Sequence, residues 1–393
     1  MPGYRYLIVG GGMTGDAACR GIRDHDSEGT IGLVAAEEHE PYARPPLTKA
    51  LWKGKPEDSI WRGTREFDVD LQLGREIVSL DVDARTATDD EGKVYEYECV
   101  LLATGGSPRR LPSAPEGVLF YRTVDDYRRL RELSGDGVRV AVVGGGFIGS
   151  EIAAALALDG CVVTLLFPDA GISAKVFPPE LSSFVSAYYV EKGVEVLAGE
   201  KVSAIDREGA IFRLRTESGR AIEADVVVAG LGITPRTALA EAAGFPVDDG
   251  VLVDELGRVD GRENVFAAGD VARFPVPALG GTRRVEHEDH ANTHGRLVGA
   301  NMAGAGQPYV HLPFFYSDLF DLGYEAVGDV DSRRSMLSEW AEPNRKGVVG
   351  YLDDDGKPVG FLLWDAWDRV EAGRELIRAG EPISTVTLRG LLD

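Results

Sequence analysis

The stretch that decides the fold is YRYLIVGGGMTGDAACRGI, residues 4–22. Its apolar run Tyr6–Val9 predicts a buried parallel strand, and Ile22 with the small residues before it predicts a helix. A Gly-x-Gly-x-x-Gly pattern lies between them. One glycine allows the tight turn, one allows close approach to a pyrophosphate, and one allows the helix to pack on the strand. The predicted binding residues of this turn are Gly10, Gly12, Met13, Thr14 and Gly15.

An acidic residue completes this first unit. The apolar segment IGLVAAE predicts a second strand ending on Glu37, which lies 22 positions after Gly15. A carboxylate at about this distance binds a ribose hydroxyl in dinucleotide-binding units. A glycine pattern alone is weak evidence for such a unit, but the preceding strand and Glu37 make the evidence for this copy strong.

The same arrangement recurs in GVRVAVVGGGFIGSEIAAALALDGCVVTLLFPD, residues 137–169. Strand Val138–Val143 precedes the glycines, and strand Val162–Phe167 runs out near Asp169, 20 positions after Gly149. Either copy alone is compatible with a turn that binds nothing, but two copies favour two dinucleotides, of which the natural pair is FAD and NAD. The predicted binding residues of the second turn are Gly144, Gly146, Phe147, Ile148 and Gly149.

The acid of the second copy bears on which nicotinamide nucleotide is used. Asp169 favours NADH over NADPH, because a 2′-phosphate is better accommodated by Arg or Lys. Lys175 lies a few residues further on and weakens this preference.

Two other strands end in small residues. YECVLLATGGSPR contains Ala103, Thr104 and Gly105, and NVFAAGDVARF contains Gly269 and Asp270. Small residues allow the backbone to approach a ligand, and Asp270 is placed to accept a hydrogen bond from a sugar or ribityl hydroxyl. Taken alone, both segments are also compatible with ordinary strand-ending turns.

The segment PYARPPLTKALW, Pro41–Trp52, holds three prolines together with Arg44 and Lys49. Prolines fix the backbone angle φ and therefore stiffen a loop that no strand ladder holds. Considered without further context, the segment is compatible either with a surface loop carrying solvated charges or with a loop that wraps a ligand.

Composition limits the class of partner. The 393 residues carry 42 Lys and Arg against 64 Asp and Glu, a net charge of −22, which disfavours nucleic acid and anionic membranes as partners. No targeting segment or long apolar run is evident, so we expect a cytoplasmic protein without membrane insertion. The three cysteines are far apart in sequence and no metal site is predicted.

These motifs resemble those of the two-dinucleotide-binding flavoproteins that include the putidaredoxin, rubredoxin and biphenyl-dioxygenase ferredoxin reductases, and within them the apoptosis-inducing-factor branch. The run RRVEH followed by FFYSDL and GYE is more specific than any glycine motif and points to that branch. The resemblance covers nearly the whole chain. It is carried by PYARPPLTKALW, ATGGSPR, GGGFIGSEIA, TLLFPD, VFAAGDVA, RRVEHEDHA and FFYSDLFDLGYEAVG.

The resemblance implies an α/β fold with two Rossmann-like domains and a C-terminal α+β domain. The FAD-binding domain is expected to be discontinuous, from residues 1–113 and 245–308, with an NAD-binding domain of residues 114–244 inserted into it. The C-terminal domain is expected to take residues 309–393, with two strands around a DDDG turn followed by an amphipathic helix.

The resemblance also implies roles for individual residues. Arg44 is expected at the FAD pyrophosphate or adenine end, Lys49 at the isoalloxazine near its N5 atom, and Glu151 in an ion pair with Lys49; these last two are the predicted catalytic residues. The other residues implied for the FAD site are Glu37, Arg109, Asp270, Glu286 and His287, with Tyr316 near the flavin ring. Those implied for the NAD site are Asp169, Lys175, Gly232 and Glu325. Ala103, Thr104, Gly105, Gly269 and Val78 are further predicted cofactor-binding residues. His287 is also compatible with a packed loop histidine, and we assign it no proton transfer.

The activity implied is hydride transfer from C4 of NADH to N5 of the flavin, followed by electron transfer to an acceptor. Three alternatives stay open: a reductase of a small acceptor such as a quinone, oxygen or a dye; a reductase of an iron–sulfur or rubredoxin partner; and a redox sensor acting through a long-lived reduced complex. For a protein partner, Arg122, Arg128, Arg129, Arg131, Arg333 and Arg334 are candidates for a local basic patch. The oligomeric state is open, and a homodimer is one possibility.

Departures from the branch qualify the resemblance. The sequence has no import segment before its first strand, no long insertion after Tyr309 and no basic balance, so the cell-death role is not expected. Tyr316 stands where the branch usually has tryptophan. No C-x-x-C pair is present, and the segment AAEEHEPYARPP just after the second strand of the first unit has no cysteine, which argues against glutathione-reductase-like enzymes and single-cysteine oxidases.

Overall fold

The described residues, 3–112 and 114–392 of a computed structural model, divide between two units. The first unit is Met1–Arg44, Pro56–Ser107 and Thr234–Pro313, and the second is Pro45–Lys55, Pro108–Ile233 and Phe314–Asp393. The predicted boundary at residue 113 lies outside the described residues, and the predicted three-domain limits stay predictions.

The strands of the described residues run along the chain in the following order. They are β1 (Gly3–Val9), β2 (Ile31–Ala35), β3 (Val69–Leu73), β4 (Ile77–Asp81), β5 (Thr86–Asp89), β6 (Val94–Leu102), β7 (Gly106–Pro108), β8 (Leu119–Phe120), β9 (Arg139–Val143), β10 (Val162–Phe167), β11 (Glu195–Ala198), β12 (Val202–Glu208), β13 (Ile211–Thr216), β14 (Ala221–Ala224), β15 (Val226–Ala229), β16 (Ile233–Pro235), β17 (Val251–Leu252), β18 (Val265–Ala267), β19 (Ala272–Pro275), β20 (Thr282–Arg283), β21 (Phe314–Leu319), β22 (Leu322–Gly328), β23 (Ser335–Glu342), β24 (Lys346–Leu352) and β25 (Pro358–Trp364).

The α-helices of the described residues lie between these strands, except for the last two, which follow β25. They are α1 (Met13–Arg23), α2 (Val124–Leu133), α3 (Phe147–Leu158), α4 (Pro179–Glu191), α5 (Ala238–Ala242), α6 (Glu288–Met302), α7 (Val370–Ala379) and α8 (Thr385–Arg389). No helix of the described residues is long and apolar enough to cross a bilayer.

The first unit is built on a sheet with β1 in its centre. Strands β3, β2, β1, β6 and β18 are parallel and lie in that order. Strand β5 pairs antiparallel with the first residues of β6, and β4 pairs antiparallel with β5. The chain therefore leaves β1 toward β2 on one side and later returns to β6 on the other. Ligands of such doubly wound sheets bind at this change of direction, beyond the carboxyl ends of the strands.

The second unit repeats this order around β9. Its parallel sheet runs β11-β10-β9-β15-β8, so β9 occupies the position that β1 holds in the first unit. The predicted strand Val162–Phe167 is confirmed with the same bounds, because a continuous apolar run is typical of a strand covered on both faces. The predicted α/β class with two Rossmann-like sheets is confirmed.

A separate antiparallel sheet of the second unit carries the C-terminal residues. Its order is β21-β22-β25-β24-β23, and α7 packs on it. The predicted pair of strands around the DDDG turn is confirmed as β24 and β25, and the predicted helix as α7, whose Val370 and Ile377 are buried. Leu376 of the same helix is only partly buried.

Glycines bring two helices of the first unit into backbone contact. A Cβ on Gly21 of α1 would lie 1.9 Å from the Arg296 carbonyl oxygen of α6, and one on Gly299 of α6 would lie 2.1 Å from the Ala18 carbonyl oxygen. No side chain fits at that separation, so these glycines are required by the packing. The contact fixes α6, which begins at Glu288, against the helix that follows the first glycine turn.

Candidate functional site

The first glycine turn lies at the end of the central strand of its sheet. Gly10 has φ of +125°, and a Cβ on it would lie 2.1 Å from the carbonyl oxygen of Ala103, just after β6. A Cβ on Gly15 would lie 2.2 Å from the Gly10 carbonyl oxygen, so helix α1 packs directly on the turn. Gly12 differs, because its φ is −83° and a Cβ on it would meet no atom within 4 Å. The protein's own packing therefore explains Gly10 and Gly15 but not Gly12, which suits a backbone position that a phosphate approaches.

The second glycine turn has the same three environments. A Cβ on Gly144 would lie 2.4 Å from the carbonyl oxygen of Gly230, and one on Gly149 would lie 1.8 Å from that of Gly144. Gly146 has φ of −84° and open space where a Cβ would be. In both units this open glycine is the N-cap of the helix and carries no side-chain cap, so the first N–H groups of α1 and α3 have no capping partner from that residue. The geometry of both turns fits a dinucleotide.

Glu37 and Arg44 lie together in the first unit. β2 ends at Ala35, two residues earlier than expected, and the Glu37 carbonyl accepts a hydrogen bond from Gly74. Arg44 donates to Glu37 Oε1 at 2.5 Å, and the Tyr42 hydroxyl donates to Glu37 Oε2 at 2.5 Å. Arg44 thus holds the carboxylate of Glu37 in place, and both are residues predicted for the FAD site.

The two small-residue strand ends also belong to the first unit. Thr104 donates its hydroxyl to the carbonyl oxygen of Arg236 at 2.8 Å. Gly269 has φ of +71°, and a Cβ on it would lie 2.1 Å from the Thr14 hydroxyl oxygen. The Gly269–Asp270 turn is therefore packed against the residue next to Gly15. Val78, also in this unit, exposes its side chain to solvent on β4.

Glu286 and His287 precede helix α6, and His287 is its N-cap. Burial lowers the pKa of His287 to about 4, against the opposing charges of Asp270 and Asp289. The ring is therefore neutral near pH 7.

Two further histidines of α6, His290 and His294, are fully buried near the Gly269–Asp270 turn and were not predicted from the sequence. The Gly269 N–H donates to His294 Nδ1 at 3.3 Å, and His290 Nδ1 lies 3.0 Å from the Tyr309 hydroxyl. Burial lowers the pKa of His294 to about 3 and that of His290 well below its usual range. The only sequence signal for these two histidines is their spacing of four positions, which is common in ordinary helices and does not indicate a functional site.

These buried histidines predict a loss of stability in acid. Their folded-state pKa lies below the unfolded value of about 6.5, so the unfolded state binds more protons as the pH falls from 6.5 toward 3. We expect each ring to lower the free energy of unfolding by about 1.4 kcal/mol per pH unit over that window. His294→Asn retains an acceptor for Gly269 and should remove about one proton from the pH slope measured by denaturant unfolding between pH 7 and 4.5. His25→Asn, at an exposed position, is the control, and equal slopes for both variants would contradict this account.

Lys49 and Glu151 form a buried ion pair in the second unit. The Lys49 Nζ lies 2.6 Å from Glu151 Oε1, and only 12% and 5% of the two side chains are exposed. Glu151 belongs to the first turns of α3, so its position follows from that of the second glycine turn. Lys49 belongs to a stretch of turns that starts with the one-turn helix Pro45–Leu47, and Tyr121 donates its hydroxyl to the Leu47 carbonyl at 2.5 Å. The expected contact between the two residues is present.

Tyr316 and Glu325 are cross-strand partners on β21 and β22. The Lys49 Nζ lies 5.1 Å from the centroid of the Tyr316 ring, within cation–π range. Burial raises the pKa of Glu325, although the Asp368 N–H donates to it at 3.1 Å. Phe147, in the second glycine turn, packs on Phe315 of β21 with ring centroids 4.9 Å apart.

The remaining predicted residues of the second unit fall into two groups. Asp169 follows β10, and its carboxylate lies 3.9 Å from the Nζ of Lys175, whose side chain is 83% exposed. Arg109 and Gly232, expected in different cofactor sites, are joined by a hydrogen bond of 2.9 Å from the Arg109 N–H to the Gly232 carbonyl.

Three residues near these groups were missed from the sequence. Gly230 ends the run VVVAG beside Gly144, a pattern of apolar strand and small residue like the one used to find Ala103. Thr48 and Ser317 both donate to Glu151, at 2.5 and 2.6 Å. Thr48 and Ser317 each lie inside a motif recognised in the sequence, but no sequence spacing indicates that either of them contacts Glu151.

Comparison with known proteins agrees with this geometry. The family model described as pyridine nucleotide-disulphide oxidoreductase matches residues 4–295. A second model, described as apoptosis-inducing factor, mitochondrion-associated, C-term, matches residues 298–345. The matched ranges include both glycine turns and the hairpin of β21 and β22.

Individual relatives extend over nearly the whole chain. Apoptosis-inducing factor 1, mitochondrial, of Dictyostelium discoideum is 32% identical over 95% of this chain and 78% of its own length. Monodehydroascorbate reductase 3 of Arabidopsis thaliana is 31% identical over 92% of this chain and 89% of its own. The crystal structure of the covalent putidaredoxin reductase–putidaredoxin complex contains a chain with a TM-score of 0.90 and 27% identity, covering 99% of this chain and 96% of that one. The chain therefore belongs to the pyridine nucleotide-disulphide oxidoreductase family, as an FAD-dependent oxidoreductase that uses a nicotinamide nucleotide.

Proposed function

We propose that the protein takes electrons from NADH in preference to NADPH and delivers them to a small-molecule acceptor, with Lys49 and Glu151 as the catalytic pair. The observation that carries this proposal is the buried Lys49–Glu151 pair, because burying a charge is costly unless an opposite charge and hydrogen bonds compensate it. FAD, when bound, supplies the redox chemistry that side chains lack. Lys49 supplies a fixed positive charge and Glu151 keeps it in place.

The remaining predicted site residues keep their proposed roles. The glycine turn at Gly10–Gly15 and the Glu37–Arg44 pair are proposed to hold FAD, with the Ala103–Gly105 and Gly269–Asp270 turns. The turn at Gly144–Gly149 is proposed to hold the nicotinamide nucleotide. Also proposed for cofactor binding are Val78, Arg109, Asp169, Lys175, Gly232, Glu286, His287, Tyr316 and Glu325.

The choice of a small acceptor rests on the ion pairs of the arginines that were candidates for a basic patch binding a protein partner. An acidic iron–sulfur protein needs a surface with unneutralised positive charge, because its approach is steered by complementary charge. Five of the candidate arginines have an acidic partner at ion-pair distance. The pairs are Arg128–Asp125, Arg129–Glu132, Arg131–Asp159, Arg333–Asp331 and Arg334–Asp329.

An iron–sulfur protein is the second candidate acceptor. It is favoured by the similarity to the putidaredoxin reductase chain, which was crystallised in a covalent complex with putidaredoxin. We further infer a cytoplasmic location, where free thiols such as those of Cys19, Cys99 and Cys161 stay reduced. The absence of nucleic-acid and membrane partners and a possible homodimer stay predictions of the sequence.

The test of the acceptor is steady-state oxidation of NADH with an uncharged quinone and, separately, with a small acidic ferredoxin. We expect a higher kcat/KM for the quinone, and a rate that changes little between 20 and 200 mM salt, because an uncharged acceptor is not steered. A higher kcat/KM for the ferredoxin that falls steeply with salt would replace the small acceptor by the iron–sulfur protein.

The nucleotide preference gives a separate prediction. Asp169→Ala removes the carboxylate proposed to bind the ribose hydroxyls, so we expect the ratio of kcat/KM for NADH to that for NADPH to fall about ten-fold. Lys175→Ala removes the cation 3.9 Å away and should not raise the use of NADPH. An unchanged ratio in Asp169→Ala would show that another residue selects the nucleotide.

A further inference from the structure

The carboxylate of Glu151 receives three hydrogen bonds. Lys49 Nζ and Ser317 Oγ each lie 2.6 Å from Oε1, and Thr48 Oγ1 lies 2.5 Å from Oε2. An ionised carboxylate only accepts hydrogen bonds, whereas a protonated one must also donate. All three groups are donors, so the carboxylate of Glu151 acts here only as an acceptor.

Two tyrosines are the other titratable groups that face Glu151, and neither carries a charge that would pair with it or repel it. Tyr189 of α4 and Tyr324 of β22 lie close enough to feel its charge, and both are fully buried. Burial raises the pKa of each phenol well above its ordinary range, and the negative charge of Glu151 adds to this effect. Both phenols are thus neutral, and Tyr189 donates to the Ser150 carbonyl at 3.0 Å instead.

Ser317 differs from Thr48 in the element that carries it. Thr48 precedes Lys49 in the same loop, so it moves with the lysine. Ser317 lies on β21, is 1% exposed, and stands next to Tyr316, whose ring lies under the Lys49 Nζ. Strand β21 therefore contacts the acid through Ser317 and the lysine through Tyr316.

We propose that Ser317 is a positioning residue for the redox reaction, which holds Glu151 in place and thereby fixes the ammonium group of Lys49. This inference rests on the proposed role of Lys49 and Glu151. In this proposal Ser317 contacts neither cofactor and acts only through its hydrogen bond to Glu151. A hydrogen bond to a buried charged group is strong, and its loss leaves Oε1 with Lys49 alone, so Ser317→Ala should slow flavin reduction about 10- to 100-fold.

The variants isolate the hydrogen bond from the volume of the side chain. Ser317→Ala removes the donor, Ser317→Thr retains it, and Ser317→Cys supplies a weaker donor of similar size should the alanine variant not fold. The matched control is Thr64→Val, which removes a hydroxyl 2.7 Å from another buried carboxylate, that of Asp16 in the first unit. It removes a comparable bond and should leave flavin reduction unchanged.

The measurements are the anaerobic rate of flavin bleaching with NADH, the apparent Kd for NADH and the flavin midpoint potential. We expect Ser317→Ala to lower the bleaching rate and the midpoint potential with little change in Kd, and Ser317→Thr to restore both. In a Glu151→Gln background, Ser317→Ala should have almost no further effect on rate or potential, because it acts through the acid.

Two different failures are distinguishable. If Glu151→Gln and Lys49→Met slow bleaching but Ser317→Ala does not, or if its effect is fully additive with Glu151→Gln, the positioning role is overturned and the proposed function stands. If Glu151→Gln and Lys49→Met leave bleaching unchanged, the proposed catalytic pair and the role of Ser317 are both wrong.

Discussion

Alanine at Gly15 is expected to yield a protein that purifies without its yellow flavin. The added Cβ would lie 2.2 Å from the Gly10 carbonyl oxygen, a backbone atom that cannot move aside. Gly10 is itself confined, since its own Cβ position lies 2.1 Å from the Ala103 carbonyl oxygen. Helix α1 must therefore separate from β1, which disrupts the turn proposed to hold the pyrophosphate. The ratio of absorbance at about 450 nm to that at 280 nm, measured on the purified protein, reports the loss.

Gly12→Ala separates cofactor binding from folding. Its backbone angle is open to any residue and no protein atom lies within 4 Å of the new Cβ, so the apoprotein should melt at the native temperature. A bound phosphate would meet that methyl group, and overpacking of this kind costs about 1–3 kcal/mol of binding free energy. Gly146→Ala is the matched variant in the second turn, and we expect it to keep the flavin while weakening NADH binding. Native flavin affinity in Gly12→Ala would contradict the assignment of the first turn.

Loss of either partner of the Lys49–Glu151 pair is expected to destabilise the protein. Glu151→Ala leaves a buried ammonium without its counter-ion and the Thr48 and Ser317 hydroxyls without their acceptor. Breaking a buried pair in this way costs about 3–5 kcal/mol of the free energy of unfolding. Lys49→Met should be comparably destabilised, whereas the double change Lys49→Met with Glu151→Ala should lose less than the sum of the single changes. Denaturant unfolding of the four proteins measures these differences.

The control for this prediction is an ion pair of similar length at the surface of the same unit. Lys201 and Glu217 lie 2.7 Å apart with more than half of each side chain exposed, so Glu217→Ala should change the unfolding free energy little. Equal effects of Glu151→Ala and Glu217→Ala would mean that the buried pair is not held as we describe.

Local features of the fold were predictable from the sequence, because they depend on nearby residues. The glycine turns, the strand Val162–Phe167 and the strands around the DDDG turn follow from patterns spanning fewer than about 30 residues. The segment DVDARTATDDEGKVYEYE likewise has a pattern typical of a hairpin, with DDEG at its turn. The structure has that hairpin as β5 and β6, with β4 added as a third strand.

Contacts between distant segments were not predictable in this way. Ser317 and Glu151 are 166 positions apart, and Thr48 and Glu151 are 103 apart, so no periodicity connects them. The same holds for Gly21 of α1 and Gly299 of α6, which look like weak points of their helices until the two backbones are seen in contact. The pairing of Lys49 with Glu151 came only from the resemblance to a family, since a lysine in a proline loop and an acid in a helix carry no such signal alone.

The central claim is that this chain binds FAD and reduces it with a nicotinamide nucleotide, preferably NADH. The most direct measurement is anaerobic mixing of the purified protein with NADH or NADPH while the visible spectrum is recorded, followed by addition of air and a quinone. The account predicts that NADH bleaches the flavin faster than NADPH does and that the quinone restores the oxidised spectrum promptly. A flavin that NADPH alone reduces would contradict the role of Asp169. A long-wavelength band that survives air and quinone for minutes would contradict turnover and favour a redox sensor.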